Sequence, residues 1–339
     1  MAELSNQLLV VTVLAYLAAM VCHAAEYSFG ARSHIGRAAA RPARQLVGAG
    51  APVTDDPPVA DDEAPVVNDE PAPKKDRGAL LGQIAVWVTG FGLLAHLATL
   101  VTRGIAADRM PWGNMYEFIL SVTFVGSAVW LGVVIRRPGI RHLGLFVALV
   151  MVVLLGTAGL VAYTPVGPLV PALNSYWFMI HVTTVIIGSG IFLVGFVPAA
   201  MFLIKSGYDQ GKRSFPFTLG KRVPAAEALE RLTFRLHAFA FPLFTFGALI
   251  AGPIWAHYAW GRYWGWDPKE VWAFITWVVY AAYLHARATS GWKGRSAAIV
   301  ALVGLATLWF NFIGINFFFG SGSQHSYAAP EPIAVVRTL

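Results

Sequence analysis

The sequence predicts an all-α protein, a polytopic bundle of about eight transmembrane helices. Apolar residues make up 57% of its 339 residues and charged residues 13%, whereas a soluble domain has about 25% charged residues. Apolar runs of about 20 residues, the length that spans the hydrocarbon, recur eight times. In lipid such runs must be helical, because a helix satisfies its own backbone groups and a β-barrel would show short alternating strands.

The eight predicted spans are separated by polar connections. Their approximate bounds are Leu8–Ala25, Ala79–Thr102, Met115–Ile135, His142–Tyr163, Tyr176–Ile204, Leu232–Ile254, Val271–Arg287 and Ala297–Phe318.

The distribution of Lys and Arg predicts how the bundle is oriented in the plasma membrane. Cytoplasmic connections carry an excess of these residues. With both termini outside the cytoplasm, the four cytoplasmic connections hold 7, 3, 7 and 3 of them, which is 20 of the 25, and the outer side holds 5. The net charge of +7 therefore reflects topology and contact with anionic membrane lipid, and predicts no binding of nucleic acid.

Composition divides the chain into four predicted regions. Residues 1–29 form a first transmembrane helix, whose N-terminal residues lack the Lys or Arg of a signal peptide. Residues 30–78 are rich in proline and acidic residues and lack aromatic residues, so we expect a disordered cytoplasmic linker. Residues 79–327 form a seven-helix body, and residues 328–339 form a C-terminal tail.

Six of the twelve tryptophans lie in one segment, residues 255–277, which we call the tryptophan segment. Its centre reads Trp-Gly-Trp-Asp-Pro-Lys-Glu-x-Trp. Flat apolar faces beside a few polar anchors suit a planar macrocycle that carries carboxylates, with cations as partners for those carboxylates. The alternative is an interfacial aromatic belt in an unrelated membrane protein. The candidate binding residues are Trp255, Trp260, Arg262, Trp264, Trp266, Asp267, Lys269 and Trp272.

Two histidines are predicted on the same side of the membrane as the tryptophan segment. His181 follows Tyr176 and Trp177 by about one turn, near the outer start of its span, and His325 follows the last span. Histidine is a common axial ligand of haem iron. Two histidines from separate elements, both beside the tryptophans, are what a bis-histidine haem site requires.

A third histidine, His285, lies far from that site. It follows Asp267 by eighteen residues, roughly 27 Å along a helix, which is close to the hydrocarbon thickness of about 30 Å. His285 is therefore predicted at the cytoplasmic end of its helix. Its position alone leaves two interpretations open: a functional ligand, or a residue that snorkels beside Arg287.

The other histidines are predicted to have lesser roles. His96, within the second span, is an additional candidate for an inner site, and His257 is a candidate hydrogen-bond donor to a carboxylate. His23, His34 and His142 fall at helix ends or in the linker, where solvation explains them, and His237 is predicted near the cytoplasmic start of its helix.

The tryptophan motif resembles the WWD signature of the CcsA/ResC-type cytochrome c biogenesis proteins of system II, called CcsB in actinobacteria. Three histidine contexts also resemble the family: Tyr-Trp-x-x-x-His181, Tyr-Leu-His285-Ala-Arg and His325-Ser-Tyr. The stretch from Pro111 to Glu117 resembles its Asn-x-Tyr-Glu motif. The resemblance covers residues 79–327.

This resemblance implies the chemistry of the site. His181 and His325 would ligate the iron of an outer haem b, and His285 would belong to an inner haem site completed by a histidine of a Ccs1/ResB-like membrane partner. The implied function is that of a membrane subunit of a cytochrome c synthase, which carries haem across the membrane and presents it to the CxxCH segment of apocytochrome c.

Three points stay open at this stage. No residue resembles a nucleophile or general base, so it is undecided whether the chain is itself an enzyme or one part of a synthase. A system I-type WWD protein, which loads or ligates haem, is one alternative. A small-solute transporter with an aromatic belt is another, although the inverted repeats and midplane helix breaks typical of transporters are not evident.

Overall fold

The computed structural model describes residues 1–29, 77–289, 292–319 and 323–325. The predicted linker therefore lies outside the described residues except for Arg77 and Gly78, which begin a helix, and the predicted tail lies outside them entirely. Ten α-helices occur in the described chain: α1 Ala2–Phe29, α2 Arg77–Ala107, α3 Met115–Arg136, α4 Gly144–Leu160, α5 Tyr176–Asp209, α6 Ala226–Thr245, α7 Gly252–Trp260, α8 Pro268–Ala288, α9 Arg295–Trp309 and α10 Ile315–Phe318.

Short helical turns of other types connect several of these helices. A π-turn, Phe246–Ala251, joins α6 to α7, and a second, Phe310–Gly314, joins α9 to α10. Three 3₁₀ turns lie at Pro138–Leu143, Pro171–Leu173 and Phe217–Arg222. No strand occurs among the described residues, which confirms the prediction of an all-α fold.

Seven helical stretches of the described chain are long and apolar enough to cross a membrane: Ala2–Ser28, Gly78–Ala107, Met115–Arg136, Pro138–Leu160, Tyr176–Asp209, Ala226–Trp260 and Arg295–Gly314. The protein is thus a multi-pass membrane protein. The remaining predicted span corresponds to α8, a helix of 21 residues. Helix α8 is long enough to cross, but it carries Lys269, Glu270, His285 and Arg287 and is less apolar than the other seven.

Helix α5 lies at the centre of the bundle and packs against α3, α6 and α9. Glycines along it allow these neighbours to approach closely. A Cβ at Gly188 would meet Phe244 of α6, and one at Gly190 would meet Val125 of α3. Small residues at contact points are the usual way in which transmembrane helices pack without a hydrophobic driving force between them.

Helix α1 packs on α2 along a polar seam. The hydroxyl of Ser5 donates to the carbonyl of Thr99, and the hydroxyl of Tyr16 lies 3.4 Å from Nδ1 of His96. His96 is fully buried and also packs edge-on against Phe124 of α3. Its place between three helices favours a structural role over that of a ligand.

Two histidines that we expected to be solvated are buried, and that prediction is wrong. His23 is 1% exposed and His142 is 6% exposed. They lie with the Glu26–Arg141 ion pair at the end of α1, where α1 packs against the 3₁₀ turn Pro138–Leu143. Contact between segments more than 100 residues apart buries both rings. His34 lies outside the described residues.

The prediction for His237 also needs correction. Helix α6 begins at Ala226, earlier than the predicted span, so His237 lies about three turns inside it and is 1% exposed. Its ring is surrounded by Phe192, Tyr280 and Tyr283. It is a buried residue of the bundle centre and not one near the start of a helix.

Candidate functional site

The turn at the centre of the tryptophan segment is fixed by its own polar residues. Asp267 caps the N-terminus of α8, with its carboxylate 3.0 Å from the backbone N of Lys269. The carboxylate of Glu270 accepts from the backbone N–H groups of Gly265 and Asp267 at 2.8 and 3.1 Å. With Pro268 as the first helical residue, this is a complete capping box.

The backbone conformation explains the glycine and the tight turn of the motif. A Cβ at residue 265 would overlap the guanidinium of Arg262, so a larger residue there would displace that side chain from the turn. Trp266 has a φ of 58°, in the left-handed region that non-glycine residues rarely adopt. Such strain persists only where surrounding contacts enforce it, and it clusters at functional sites.

Asp267 also holds the C-terminal segment against this turn. Its Oδ1 accepts from the hydroxyl of Ser323 at 2.8 Å and lies 3.0 Å from Nδ1 of His325, and its Oδ2 accepts from the backbone N of Gln324 at 2.7 Å. Nζ of Lys269 donates to the carbonyl of His325 at 3.1 Å. Residues 323–325 are thereby joined to the tryptophan segment, more than fifty residues earlier in the chain.

The charge of Asp267 is stabilised by these bonds. Burial raises the pKa of its carboxyl, but the hydrogen bonds from His325, Ser323 and Gln324 outweigh that effect and hold the pKa well below its usual range. The carboxylate is therefore ionised at neutral pH. A carboxylate only accepts hydrogen bonds, so Nδ1 of His325 carries the hydrogen.

His181 is held in a similar way by a different element. Its Nδ1 lies 2.8 Å from the carbonyl oxygen of Gly247, in the first π-turn. Since a carbonyl only accepts, this nitrogen also carries the hydrogen. The imidazole stacks on the indole of Trp255, at 5.6 Å between centroids and 12° between planes. The indole N–H of Trp255 donates to Ala172, which fixes the stacking surface.

His325 meets the same tryptophan from another direction. Its ring contacts Trp255 and Trp260 edge-on, with centroids 5.4 and 4.7 Å apart. Trp255 is 1% exposed and lies against both imidazoles. The structure therefore brings together the two histidines that the sequence placed on one side.

Both histidines line one cavity. Its walls are mostly apolar and include Trp255, Trp264 and Phe178. Cofactor and ligand sites combine apolar walls with a few polar groups. The cavity thus has the lining expected of a site for an apolar ligand that carries a few polar groups.

The two imidazoles fit a metal ion whose other ligands come from a cofactor and not from the protein. In each, Nδ1 bonds to a protein acceptor, and within the part of the chain that the structure describes Nε2 makes no hydrogen bond. Metal-binding histidines are usually oriented in this way. Among the described residues no group of three or more His, Cys, Asp or Glu side chains is placed to hold a bare metal ion. Histidine is a residue type that ligates haem iron, so two histidines beside tryptophan in one apolar cavity are residues that could hold a haem.

Comparison with known proteins assigns the chain to a family. The sequence profile described as "Cytochrome C assembly protein" matches residues 112–321. The chain belongs to the CcsA-type cytochrome c assembly proteins. It is 34% identical to the "Cytochrome c biogenesis protein CcsA" of Gloeobacter violaceus over 302 residues, which cover 74% of this chain and 88% of the relative. The proteins of the same name from Guillardia theta and Synechococcus elongatus are 35% and 33% identical, over 71% and 73% of this chain and 86% and 89% of theirs.

The family assignment confirms the resemblance seen in the sequence. It gives the CcsA-type chain a role in cytochrome c maturation, with apocytochrome c as substrate and haem as the group attached to it. It decides against an unrelated aromatic-belt protein and against a small-solute transporter.

The candidate tryptophans of the CcsA-type chain do not all line the cavity. Trp264 lines the cavity, but Trp266 is 72% exposed and stands at 89° to Trp264. Trp272 packs on Phe310 outside the cavity, 4.2 Å between centroids. The left-handed turn at residue 266 rotates neighbouring indoles to different sides, so only some of them face the ligand site.

The two cations of the motif have different surroundings. Lys269 lines the cavity. Nη1 of Arg262 lies 3.5 Å from Oε1 of Glu270, and its guanidinium also bonds to the side chain of Gln324. Arg262 thus braces the turn, whereas Lys269 faces the ligand site.

The remaining candidate histidines lie away from the cavity. His257 is exposed and stacks on Tyr263, with centroids 4.3 Å apart. His285 is exposed on α8, on the same stripe as the exposed residues Phe274 and Val278. This surface position leaves His285 accessible to a neighbouring molecule and separate from the cavity.

The sequence indicated Glu117 but not its partners. Its carboxylate is fully buried and accepts from Nε of Arg103 at 3.0 Å, Nη1 of Arg109 at 2.7 Å and the backbone N of Gly113 at 2.8 Å. This network fixes the loop that carries Trp112 into the cavity wall. A buried charge requires such partners, so the isolated Glu of the motif was the signal that an arginine lay nearby.

Several other cavity residues were not singled out from the sequence, among them Phe178, Phe244, Asn311 and Asn316. The phenylalanines resemble any other apolar residue of a span. The two asparagines are polar residues at the end of an apolar run, and that contrast was a usable signal.

Proposed function

We propose that this CcsA-type protein is the membrane subunit of a system II cytochrome c synthase, which presents haem b to the CxxCH segment of apocytochrome c. One observation carries the proposal. His181 and His325 come from elements far apart in sequence and line one apolar cavity. Each uses Nδ1 in a hydrogen bond to the protein, and Nε2 has no hydrogen-bond partner among the described residues.

Each side chain of the cavity has a distinct task in this proposal. Haem is the substrate that the chain passes on, and it supplies the iron with its axial positions and the vinyl carbons that accept the thiols. His181 and His325 hold the iron, and Trp255 and Trp264 contact the macrocycle. The chain itself contributes binding, orientation and exclusion of water.

Lys269 is the cation best placed to meet a haem propionate. Burial lowers the pKa of its ammonium group to about 8, an effect that the nearby Asp267 carboxylate opposes. The group is thus mostly protonated at neutral pH. A charge-assisted hydrogen bond from a partly buried ammonium to a carboxylate is stronger than one between neutral groups.

We also propose an inner haem site at His285. The exposure of this histidine on α8 supports a site completed by a histidine from a Ccs1/ResB-like partner. The excess of Lys and Arg in the alternate connections supports an orientation in the plasma membrane with the cavity and both termini outside the cytoplasm. Haem would enter at His285 and move to the cavity.

The test is reconstitution in a host that lacks its own cytochrome c maturation system. The full-length chain, a ResB-like partner and a reporter apocytochrome c are expressed together, and covalent haem on the reporter is measured after denaturing electrophoresis. We expect covalent haem only when the chain is present. Equal labelling of the reporter without the chain would contradict the proposal.

A further inference from the structure

The connection between α5 and α6, residues 210–225, carries a positive charge that no acidic residue of its own balances. It joins two stretches that can cross a membrane, Tyr176–Asp209 and Ala226–Trp260, so it lies at a membrane surface. Its four cations are all exposed, and within the described chain none of them forms an ion pair. They are Lys212, Arg213, Lys221 and Arg222.

Contacts to two helices fix the shape of this connection. Phe217 packs where a Cβ at Gly207 of α5 would overlap its ring. The hydroxyl of Tyr27, in α1, donates to the carbonyl of Leu219, and Nη1 of Arg222 donates to the carbonyl of Tyr27 at 2.9 Å. The cations of the connection are therefore held on a folded segment, and topology alone, which requires only that basic residues be present, does not explain their arrangement.

Three cations lie over two aromatic rings at the end of α5. Nη1 of Arg213 donates to the carbonyl of Tyr208 at 2.6 Å, and its guanidinium lies 4.1 Å from the centroid of that ring. Nζ of Lys205 lies 5.5 Å from the same centroid, and Nζ of Lys212 lies 4.8 Å from that of Phe217. Of the three, only Lys205 has an acidic partner within the described chain. Cations placed on one ring repel each other, and an anion bound between them removes that repulsion.

An exposed apolar ring stands beside these cations. Phe215 is 81% exposed and lies between Arg213 and Phe217 in the chain. At the end of a membrane span, an aromatic ring flanked by cations enters the boundary between headgroups and acyl chains. Soluble phosphate or an acidic peptide would satisfy the cations and leave Phe215 in water. A ligand that matches both features carries an anionic headgroup and an apolar tail.

We propose that Lys212, Arg213 and Phe215 form a binding site for an anionic phospholipid, which we call the lipid site. The lipid phosphate accepts charge-assisted hydrogen bonds from Lys212 and Arg213, and Phe215 lies among the acyl chains. This inference goes beyond the proposed function and does not depend on it. Val185 of the cavity wall and Asp209 at the end of α5 are 24 residues apart, roughly 36 Å along the helix.

The test is lipid binding to the full-length chain in a neutral detergent, with the bound lipids counted by native mass spectrometry. The probes are phosphatidylglycerol and the zwitterionic phosphatidylcholine. Each cation near a membrane surface contributes about a fivefold gain in affinity for anionic lipid. We therefore expect phosphatidylglycerol to bind about fivefold more weakly to Lys212→Gln and roughly 25-fold more weakly to the double variant Lys212→Gln/Arg213→Gln.

A charge-matched variant controls for the loss of two cations. Lys293 and Arg295, in the neighbouring connection between α8 and α9, are exposed and contact no aromatic ring within the described chain. Lys293→Gln/Arg295→Gln should bind phosphatidylglycerol like wild type. Phe215→Ser should weaken the binding of both lipids and leave the preference for phosphatidylglycerol unchanged, because it removes the apolar contact and no charge.

Three results would overturn the lipid site. One is equal affinity for phosphatidylglycerol in the Lys212→Gln/Arg213→Gln and Lys293→Gln/Arg295→Gln variants. Another is complete displacement of the lipid by millimolar inorganic phosphate, which would make the ligand a soluble anion. The third is a preference for phosphatidylglycerol that arises only after deletion of residues 45–73, which hold seven acidic residues and no basic one. That result would assign the cations to this acidic stretch of the chain.

Discussion

Nδ1 of His325 lies 3.0 Å from Oδ1 of Asp267. The aspartate of the tryptophan motif is thus a direct partner of a proposed iron ligand, besides capping α8. The relationship links the motif to a histidine 58 residues later and explains why the tryptophan segment and the C-terminal segment act as one site.

We expect Asp267→Asn to weaken haem binding without unfolding the bundle. Asparagine has the same shape but lacks the charge, so the tautomer of His325 is no longer fixed. Losing such a partner typically lowers metal affinity about 10- to 100-fold. The rate of haem transfer to an excess of a haem-free haem-binding protein measures this effect. Asp209→Asn is the control, because Asp209 is half-exposed. Identical dissociation from Asp267→Asn and wild type would show that the contact does not support the ligand.

Lys269 predicts a pH dependence of haem retention. Its ammonium, with a pKa of about 8, attracts a propionate while protonated, and this attraction disappears as the pH rises through that value. Haem should dissociate faster above pH about 8 in wild type. Lys269→Arg, which stays charged, should show a flat profile, and Lys269→Met should lose haem quickly throughout. Parallel profiles in all three proteins would exclude Lys269 as the propionate partner.

The tryptophans should differ in importance according to the side they face. Trp255→Ala should destabilise the fold by about 3–5 kcal/mol, because a fully buried indole is removed, and should release haem, while Trp255→Phe should be milder. Trp264→Ala should reduce bound haem, whereas Trp266→Ala should retain it, since Trp266 is exposed outside the cavity. Bound haem per protein and thermal unfolding are the measurements. Haem loss of equal size at residues 264 and 266 would contradict the assignment.

His285 should control the supply of haem to the cavity. Because about 27 Å of helix separates His285 from Asp267, His285→Ala should deplete haem at both sites, whereas His181→Gly should deplete only the outer one. The exposed His257 provides the control variant His257→Ala. Normal haem in the cavity of His285→Ala, measured by absorption of the purified protein, would exclude the sequential route.

Features set by local chemistry were predictable from the sequence. The spans followed from the need to satisfy backbone groups in lipid, and the Asp267–Glu270 cap follows from its residue types and spacing. The motif with Trp264 and Asp267 led to the right family.

Features that depend on long-range packing were not predictable. Nothing in the sequence around His23 or His142 shows that distant segments will enclose them. Trp266 adopts a left-handed conformation and is exposed, and nothing in its residue type indicates this, since non-glycine residues rarely adopt that conformation. The π-turn that places the carbonyl of Gly247 beside His181 cannot be recognised in the sequence, because it lies within an apolar run. Asn311 was recognisable only as an isolated polar residue.

The assignment of His181 and His325 as iron ligands is tested most directly by the absorption spectrum of the full-length protein, copurified with its partner from haem-replete cells. We expect a low-spin b-type spectrum for wild type. We expect loss of the six-coordinate signature in His181→Gly and in His325→Gly, and its return in each when imidazole is added, because a free ligand enters the open axial position. A wild-type spectrum in both variants without imidazole would contradict the claim that His181 and His325 hold the iron.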